Sequence, residues 1–123
     1  MKALSIHAPY VFEIITGVKP EEYRTWRPAD MPGRVLLCSS AKKYPGYVSG
    51  YALAVAEFGR VEPFTAEDGK SMYAWIVTDL QLVKPFKVKG RLHLFDVDDK
   101  KIQPHKGNFR SWIEKEYDPL RAW

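Results

Sequence analysis

The spacing of apolar positions changes character several times along the chain. Residues 2–6, Lys-Ala-Leu-Ser-Ile, alternate weakly and predict a first strand. From His7 to Gly17 the spacing turns helical, with Val11, Ile14, Ile15 and Val18 at i, i+3, i+4 and i+7. Pro9 suits the first helical position, where its missing N–H costs no hydrogen bond. Gly17 is placed to stop the helix in a left-handed conformation. Residues 21–27, Glu-Glu-Tyr-Arg-Thr-Trp-Arg, predict a second strand on which Glu22, Arg24 and Trp26 share one face and Tyr23 and Thr25 the other.

Residues 29–33, Ala-Asp-Met-Pro-Gly, predict a turn, and 33–40 a strand apolar on both faces and therefore central. A loop rich in turn residues follows to Gly50. Tyr51, Leu53 and Val55 then alternate with Ala52, Ala54 and Ala56, a large-against-small pattern that suits the tight side of a curved sheet. After a turn over 64–70, residues 73–83 predict a long strand whose uneven phase suggests a bulge. Residues 91–97 predict another, with Leu92 and Leu94 on one face. A last helix is expected from about 108, capped by Asn108 and broken at Asp118-Pro119. Its apolar stripe is Phe109, Trp112, Ile113 and Tyr117 or Leu120. The pattern predicts an α+β fold: a small mixed β-barrel of about six strands flanked by a few short helices.

The 123 residues are enough for one domain spanning 1–123. No apolar run approaches the roughly 18 residues of a membrane span, and the N-terminus reads as folded protein rather than a signal peptide. The lone cysteine, Cys38, lies in an apolar strand and reads as a buried filler. A chain with one thiol fits a reducing, cytoplasmic home.

Charge adds a directional feature. Residues 1–83 hold nine Lys/Arg against nine Asp/Glu, whereas 84–123 hold ten against six, so the whole net charge of +4 belongs to the last third. Lys84, Lys87, Lys89 and Arg91 follow one another without an acid. Such a run attracts phosphate groups and is a candidate nucleic-acid surface; it equally serves to guard an edge strand against aggregation.

Candidate chemistry begins with exclusions. No phosphate-cradling glycine loop and no metal-ligand spacing is present, and His7, His93 and His105 are scattered, so no metal or cofactor is expected. Asp96, Asp98 and Asp99 read as a solvated turn. What remains is Gly17-x-Lys19-x-x-Glu22-x-Arg24. Glu22 and Arg24 on one strand face make a carboxylate–guanidinium pair, and Lys19 in the preceding turn is expected to be exposed and free to meet a ligand. The set stands open between an ion pair on an exposed sheet face and the floor of a site.

The order of residues 3–28, then 33–40, then 74–97, resembles the ASCH (activating signal cointegrator homology) domain of the PUA-like superfamily. The most specific part is the Gly17–Lys19–Glu22–Arg24 motif after a helix opening with Ser5, Ile6 and Pro9. The resemblance implies a small barrel with helices beside a cleft that the motif lines, and an RNA, nucleoside or nucleotide ligand within it. It implies that Lys19 contacts the ligand, that Glu22 and Arg24 shape the floor, with Trp26 on their strand face, and that the Ser5 and Ser39 hydroxyls serve either this cleft or ordinary strand-end hydrogen bonds. Trp26, Tyr44, Tyr47, Tyr73 and Trp75 offer faces for base stacking or for core packing, and Trp75, in its apolar strand, reads as core. An alternative within the same family is a small hydrolase, an N4-acylcytidine amidohydrolase or a ribonuclease, with Lys19 and Glu22 as catalytic groups. The acylcytidine members carry Thr where this chain has Glu22, and many members carry Arg-Gln where this chain has His7-Ala8. A third alternative is a protein-interaction module of transcription or translation regulation.

Overall fold

The structure is a computed structural model that describes residues 1–29 and 33–121. The turn expected over 29–33 lies largely outside the described residues. The chain forms β1 (Lys2–Ile6), α1 (Ala8–Thr16), β2 (Glu21–Arg24), β3 (Gly33–Ser39), β4 (Tyr51–Thr65), β5 (Ser71–Lys87), β6 (Leu94–Asp96) and α2 (Phe109–Trp112). The strands make one six-stranded sheet in the order β2-β5-β4-β3-β1-β6. Only β1 and β3 run parallel; the other pairs are antiparallel.

The expected barrel is not closed, because no ladder joins β2 to β6 among the described residues. Both edge strands are short, at four and three residues. The sheet nevertheless curls until its two edges approach each other. Trp26, just after β2, meets His93, just before β6, with ring centroids 4.7 Å apart. The edges are thus bridged by side chains, and this seam is where the site lies.

Alternation along β1 and β3 sorts the core into two clusters. Leu4, Ile6, Val35 and Leu37 join the larger one, which α1 covers with Val11, Ile14 and Ile15. Ala3, Leu36 and Cys38 join the smaller one, with Val83 and Phe95. In β4 the expected alternation breaks at Leu53, where a bulge shifts the register between Ala52 and Ala54. Leu53, Ala54 and Ala56 therefore pack together in one cluster, whereas Ala52 and Val55 pack in the other.

Two further expectations need correction. Val18 does not extend the helical stripe. Gly17, at φ 83°, ends α1 one residue earlier, and Val18 is 75% exposed. Leu92 does not share a strand face with Leu94. His93 adopts a left-handed φ of 60°, which turns the chain before β6 begins and leaves Leu92 88% exposed.

The C-terminal helix opens as an α-helix, widens, and then tightens at Asp118–Leu120. Asn108 caps it by accepting from the Ser111 amide at 2.8 Å. Residues Ile113–Tyr117 then form a π-helical turn. This wider turn puts residues five apart on one face, so Trp112 and Tyr117 are both fully buried with rings 5.3 Å apart. Phe109, expected in the stripe, is instead 42% exposed at the helix start. The Trp112 indole donates to the Val83 carbonyl at 2.8 Å, and the Tyr117 hydroxyl accepts from the Val48 amide at 3.2 Å. These two bonds tie the terminal helix to β5 and to the loop before β4.

Burial pushes the Cys38 thiol up to about 12 from its ordinary 9.0 and also raises the Tyr117 phenol. In both cases the native state retains a proton that the unfolded chain has lost, so stability falls as pH rises through that window. For Cys38 the loss begins near pH 9 and approaches about 4 kcal/mol by pH 12. Denaturant unfolding of Cys38→Ala is expected to show a shallower alkaline fall than the parent between these limits. Parallel pH profiles would show that the thiol is not held protonated by the fold.

Candidate functional site

The site begins with the turn between α1 and β2. The Lys19 amide donates to the Glu13 carbonyl at 3.1 Å, and the Val77 amide donates to the Pro20 carbonyl at 3.0 Å. The turn is thus pinned to the helix and to β5, which sets where β2 starts. Along β2, Glu22 pairs opposite Trp75 and Arg24 opposite Tyr73. Glu22 is 5% exposed, whereas Tyr23 between them is 42% exposed. The period of two therefore directs Glu22 and Arg24 inward from one strand face.

Three donors converge on the Glu22 carboxylate. Oε1 accepts from Lys19 Nζ at 3.2 Å and from the Tyr23 amide at 3.1 Å. Oε2 accepts from Arg24 Nη2 at 3.0 Å. The same Nη2 donates to the Ser5 carbonyl of β1 at 3.1 Å, reaching across the seam of the sheet. Arg24 Nε is buried and has no hydrogen-bond partner among the described residues. Burying a carboxylate is costly unless it is paired and hydrogen-bonded, and here both conditions hold.

The ion pair does not lie on an exposed face. It lines a cleft of about 750 Å³, within the range of small-ligand pockets. The start of α1 contributes His7 and Tyr10, the end of β3 contributes Ser40 and Ala41, and the segment before β6 contributes Gly90, Arg91, Leu92 and His93. A Cβ on Gly90 would stand 2.7 Å from Ser5 Oγ, so a larger residue there would displace the Ser5 hydroxyl. His7 Nδ1 and Ser40 Oγ are hydrogen-bonded at 3.1 Å. The Tyr23 phenol donates to Glu21 at 3.0 Å, and that bond, with partial desolvation and the Glu21 charge, holds its pKa above the ordinary value.

The structure brings Ser5, Lys19, Glu22, Arg24 and Arg91 together in the cleft. It places others elsewhere. Ser39 is 1% exposed and bonded to the Tyr51 backbone in both directions, at 3.2 and 3.4 Å, so it fastens β3 to β4. Its neighbour Ser40 is the cleft residue. The register shift between Leu37 and Cys38 makes this strand end hard to phase from sequence. Trp26 lies beyond the end of β2 and packs edge-on against Trp75, with centroids 4.9 Å apart, behind His93. Tyr73 and Trp75 belong to the packed core, and Tyr47 packs against Phe12. Tyr44 stands by His7 at 5.9 Å. The aromatic faces of the cleft are Tyr10 and Tyr23. Sequence reasoning missed Tyr10; the signal was its place one residue after Pro9, on the first turn of a helix that opens beside the motif.

Lys19 also departs from expectation. Its side chain is 20% exposed, bonded to Glu22 and held 5.3 and 5.2 Å from the Tyr10 and Tyr23 ring centroids. The buried carboxylate and the electron-rich rings attract the ammonium inward. Lys84, Lys87 and Lys89 are exposed and outside the cleft. No three His, Cys, Asp or Glu side chains gather as a metal ion requires, and no helix is long and apolar enough to cross a membrane, among the described residues.

Comparison with known proteins adds the following. The family model of the ASCH domain matches residues 4–117. A crystal structure of ASCH from Zymomonas mobilis superposes with a TM-score of 0.62 at 13% identity, covering 81% of this chain and 89% of that one. This likeness shows a shared α+β, PUA-like fold. No curated protein matches the chain.

The clamp predicts unequal losses of stability. Arg24→Ala leaves the buried Glu22 with a diminished counter-charge and should cost about 3 kcal/mol. Lys19→Ala leaves the Arg24 and Tyr23 donors in place and should cost about 1 kcal/mol. Combining Arg24→Ala with Glu22→Gln should recover part of the Arg24 loss, because no charge is then stranded. Denaturant unfolding of the parent, Arg24→Ala, Glu22→Gln and the double variant measures the cycle. Strict additivity of the two substitutions would show that the pair is not coupled.

Proposed function

The chain belongs to the ASCH domain family, and from that premise we propose that its cleft binds a nucleotide unit, most naturally one unpaired nucleotide of an RNA. The observation that carries this reading is the Glu22 carboxylate held between Lys19 and Arg24 on the cleft floor. A nucleobase edge presents N–H donors and carbonyl or ring-nitrogen acceptors side by side. A carboxylate flanked by two cationic donors is complementary to such an edge. Tyr10 and Tyr23 offer flat faces for the base. Lys19, Arg24 and Arg91 outnumber the single Glu22 as formal charges in the lining, which favours a ligand that brings a phosphate.

Binding is preferred to hydrolysis for a local reason. Lys19 is already hydrogen-bonded to Glu22, and the position three residues after it is Glu22 itself rather than the Thr of the acylcytidine amidohydrolases. A catalytic reading would use the same two residues, with Glu22 taking a proton from water and Lys19 stabilising the developing oxyanion. A single pair of assays separates the readings.

Titration calorimetry with a panel of nucleoside 5′-monophosphates should detect binding, and Lys19→Ala should weaken it about tenfold or more, in line with one charged hydrogen bond. Arg91→Gln should weaken monophosphates more than the matching nucleosides. Full retention of affinity in Lys19→Ala would overturn the assignment. Release of acid from N4-acetylcytidine, abolished in Glu22→Gln, would favour the hydrolase.

A further inference from the structure

We propose that the basic segment from Lys84 to Arg91 is the track of a single-stranded polynucleotide, leading from the cleft to a second phosphate-binding hollow made by the C-terminal segment. The inference rests on the proposed function at its cleft end only. Its other end rests on a cavity that the nucleotide reading does not use.

This second cavity has a volume of about 640 Å³, and its lining includes Lys84, His105, Lys106, Lys115 and Glu116. The lining thus carries three lysines and one acid. None of the three is in an ion pair among the described residues, whereas exposed Lys2, Arg60 and Arg110 each have an acidic partner. Unpaired cations facing a hollow are a ready counterpart for phosphates.

The hollow is built into the fold. The Lys84 amide donates to the Gln103 carbonyl at 2.8 Å, and the His105 amide to the Leu82 carbonyl at 2.9 Å. The Gln81 side-chain amide adds a bond to the His105 carbonyl at 3.3 Å. His105 Nε2 and Ser111 Oγ are 3.2 Å apart, and a Cβ on Gly107 would stand 2.6 Å from each. The connection before α2 is therefore wrapped closely against β5 and the helix start, so the cations of the hollow rest on an ordered wall.

Lys84 lines this hollow and Arg91 lines the cleft. The seven residue steps between them span at most about 25 Å. Lys87 and Lys89 lie along that path, both exposed and without an ion pair among the described residues. One strand of a nucleic acid can place a base in the cleft and pass its phosphates along Lys89 and Lys87 to Lys84, Lys106 and Lys115. A duplex fits less well, since it must open before it yields a base to the cleft. An acidic peptide would satisfy the lysines but has no flat, edge-bonding ring to fill the cleft.

The test uses the whole chain and fluorescence anisotropy with labelled single-stranded oligonucleotides, RNA and DNA in parallel, from two residues to about sixteen. A duplex and polyglutamate serve as competitors. Affinity should rise with length and then level off. The triple substitution Lys84→Gln, Lys106→Gln, Lys115→Gln should weaken the long oligomers at least tenfold, leave dinucleotides unchanged, and lower the salt slope by about 2. Lys19→Ala should weaken both lengths alike. Melting temperatures of the variants confirm that each is folded.

The outcomes separate the two proposals. If dinucleotides bind through Lys19 but the triple variant matches the parent on long oligomers, the track is wrong and the nucleotide cleft stands. If long oligomers need the three lysines but ignore Lys19, the cleft assignment is wrong and the hollow stands as a polyanion site. Displacement of long RNA by polyglutamate at equal charge would overturn the polynucleotide, as would tighter binding of the duplex. An RNA preference over DNA would narrow the partner to RNA, whereas equal binding supports any single strand. No binding by any probe would overturn both proposals.

Discussion

One guanidinium holds together the place where the sheet fails to close. Arg24 Nη2 bonds the Glu22 carboxylate on its own strand and the Ser5 carbonyl on β1, beyond the unpaired edge. Among the described residues no backbone ladder spans that gap, so the distance between the edges depends on side chains: Arg24, and Trp26 against His93. The cleft exists because the ladder is missing there. The same residues that keep the seam from spreading therefore form the floor and backing of the site.

This arrangement joins the stability of the seam to the shape of the cleft through desolvation. A carboxylate at 5% exposure must keep its donors. Lys19, Arg24 and the Tyr23 amide supply them, and each has a different anchor. The Lys19 backbone is tied to α1, the Tyr23 amide belongs to β2, and Arg24 is tied to β1. The carboxylate collects three pieces of the fold at one point. A ligand that takes over one of these donors changes the balance among all three.

The C-terminal helix solves a different problem. β5 is 17 residues long, and Val83 near its end is fully buried. The terminal helix covers it, and the π turn lets Trp112 and Tyr117 both reach inward where an α-helix would turn one of them away. Their polar atoms bond the Val83 carbonyl and the Val48 amide, so the large rings are buried with those groups satisfied. The segment that connects β6 to this helix then closes against β5 and leaves the second basic hollow.

Much of the site was legible because its logic is local. A turn glycine at Gly17, a lysine two residues on, and a carboxylate and a guanidinium two apart on a strand are placed by backbone periodicity, so Glu22 and Arg24 pair as their spacing implies. The resemblance of this motif to the ASCH domain carried the fold further than the periodicity could. What remained hidden depended on irregularities that the alternation of residues does not record. A register shift in β3 makes Ser40 rather than Ser39 the cleft hydroxyl. The end of β2 at Arg24 removes Trp26 from the face it would have shared, and the left-handed His93 leaves Leu92 in solvent. Lys19 was expected to be free, because its sequence neighbours say nothing of Tyr10, nine residues away. Sequence alone thus determined which charges alternate with which, since that follows from two residues per strand repeat. Only the tertiary structure decided that Glu22 is buried between its two cations at an open seam, because that depends on how distant strands pair.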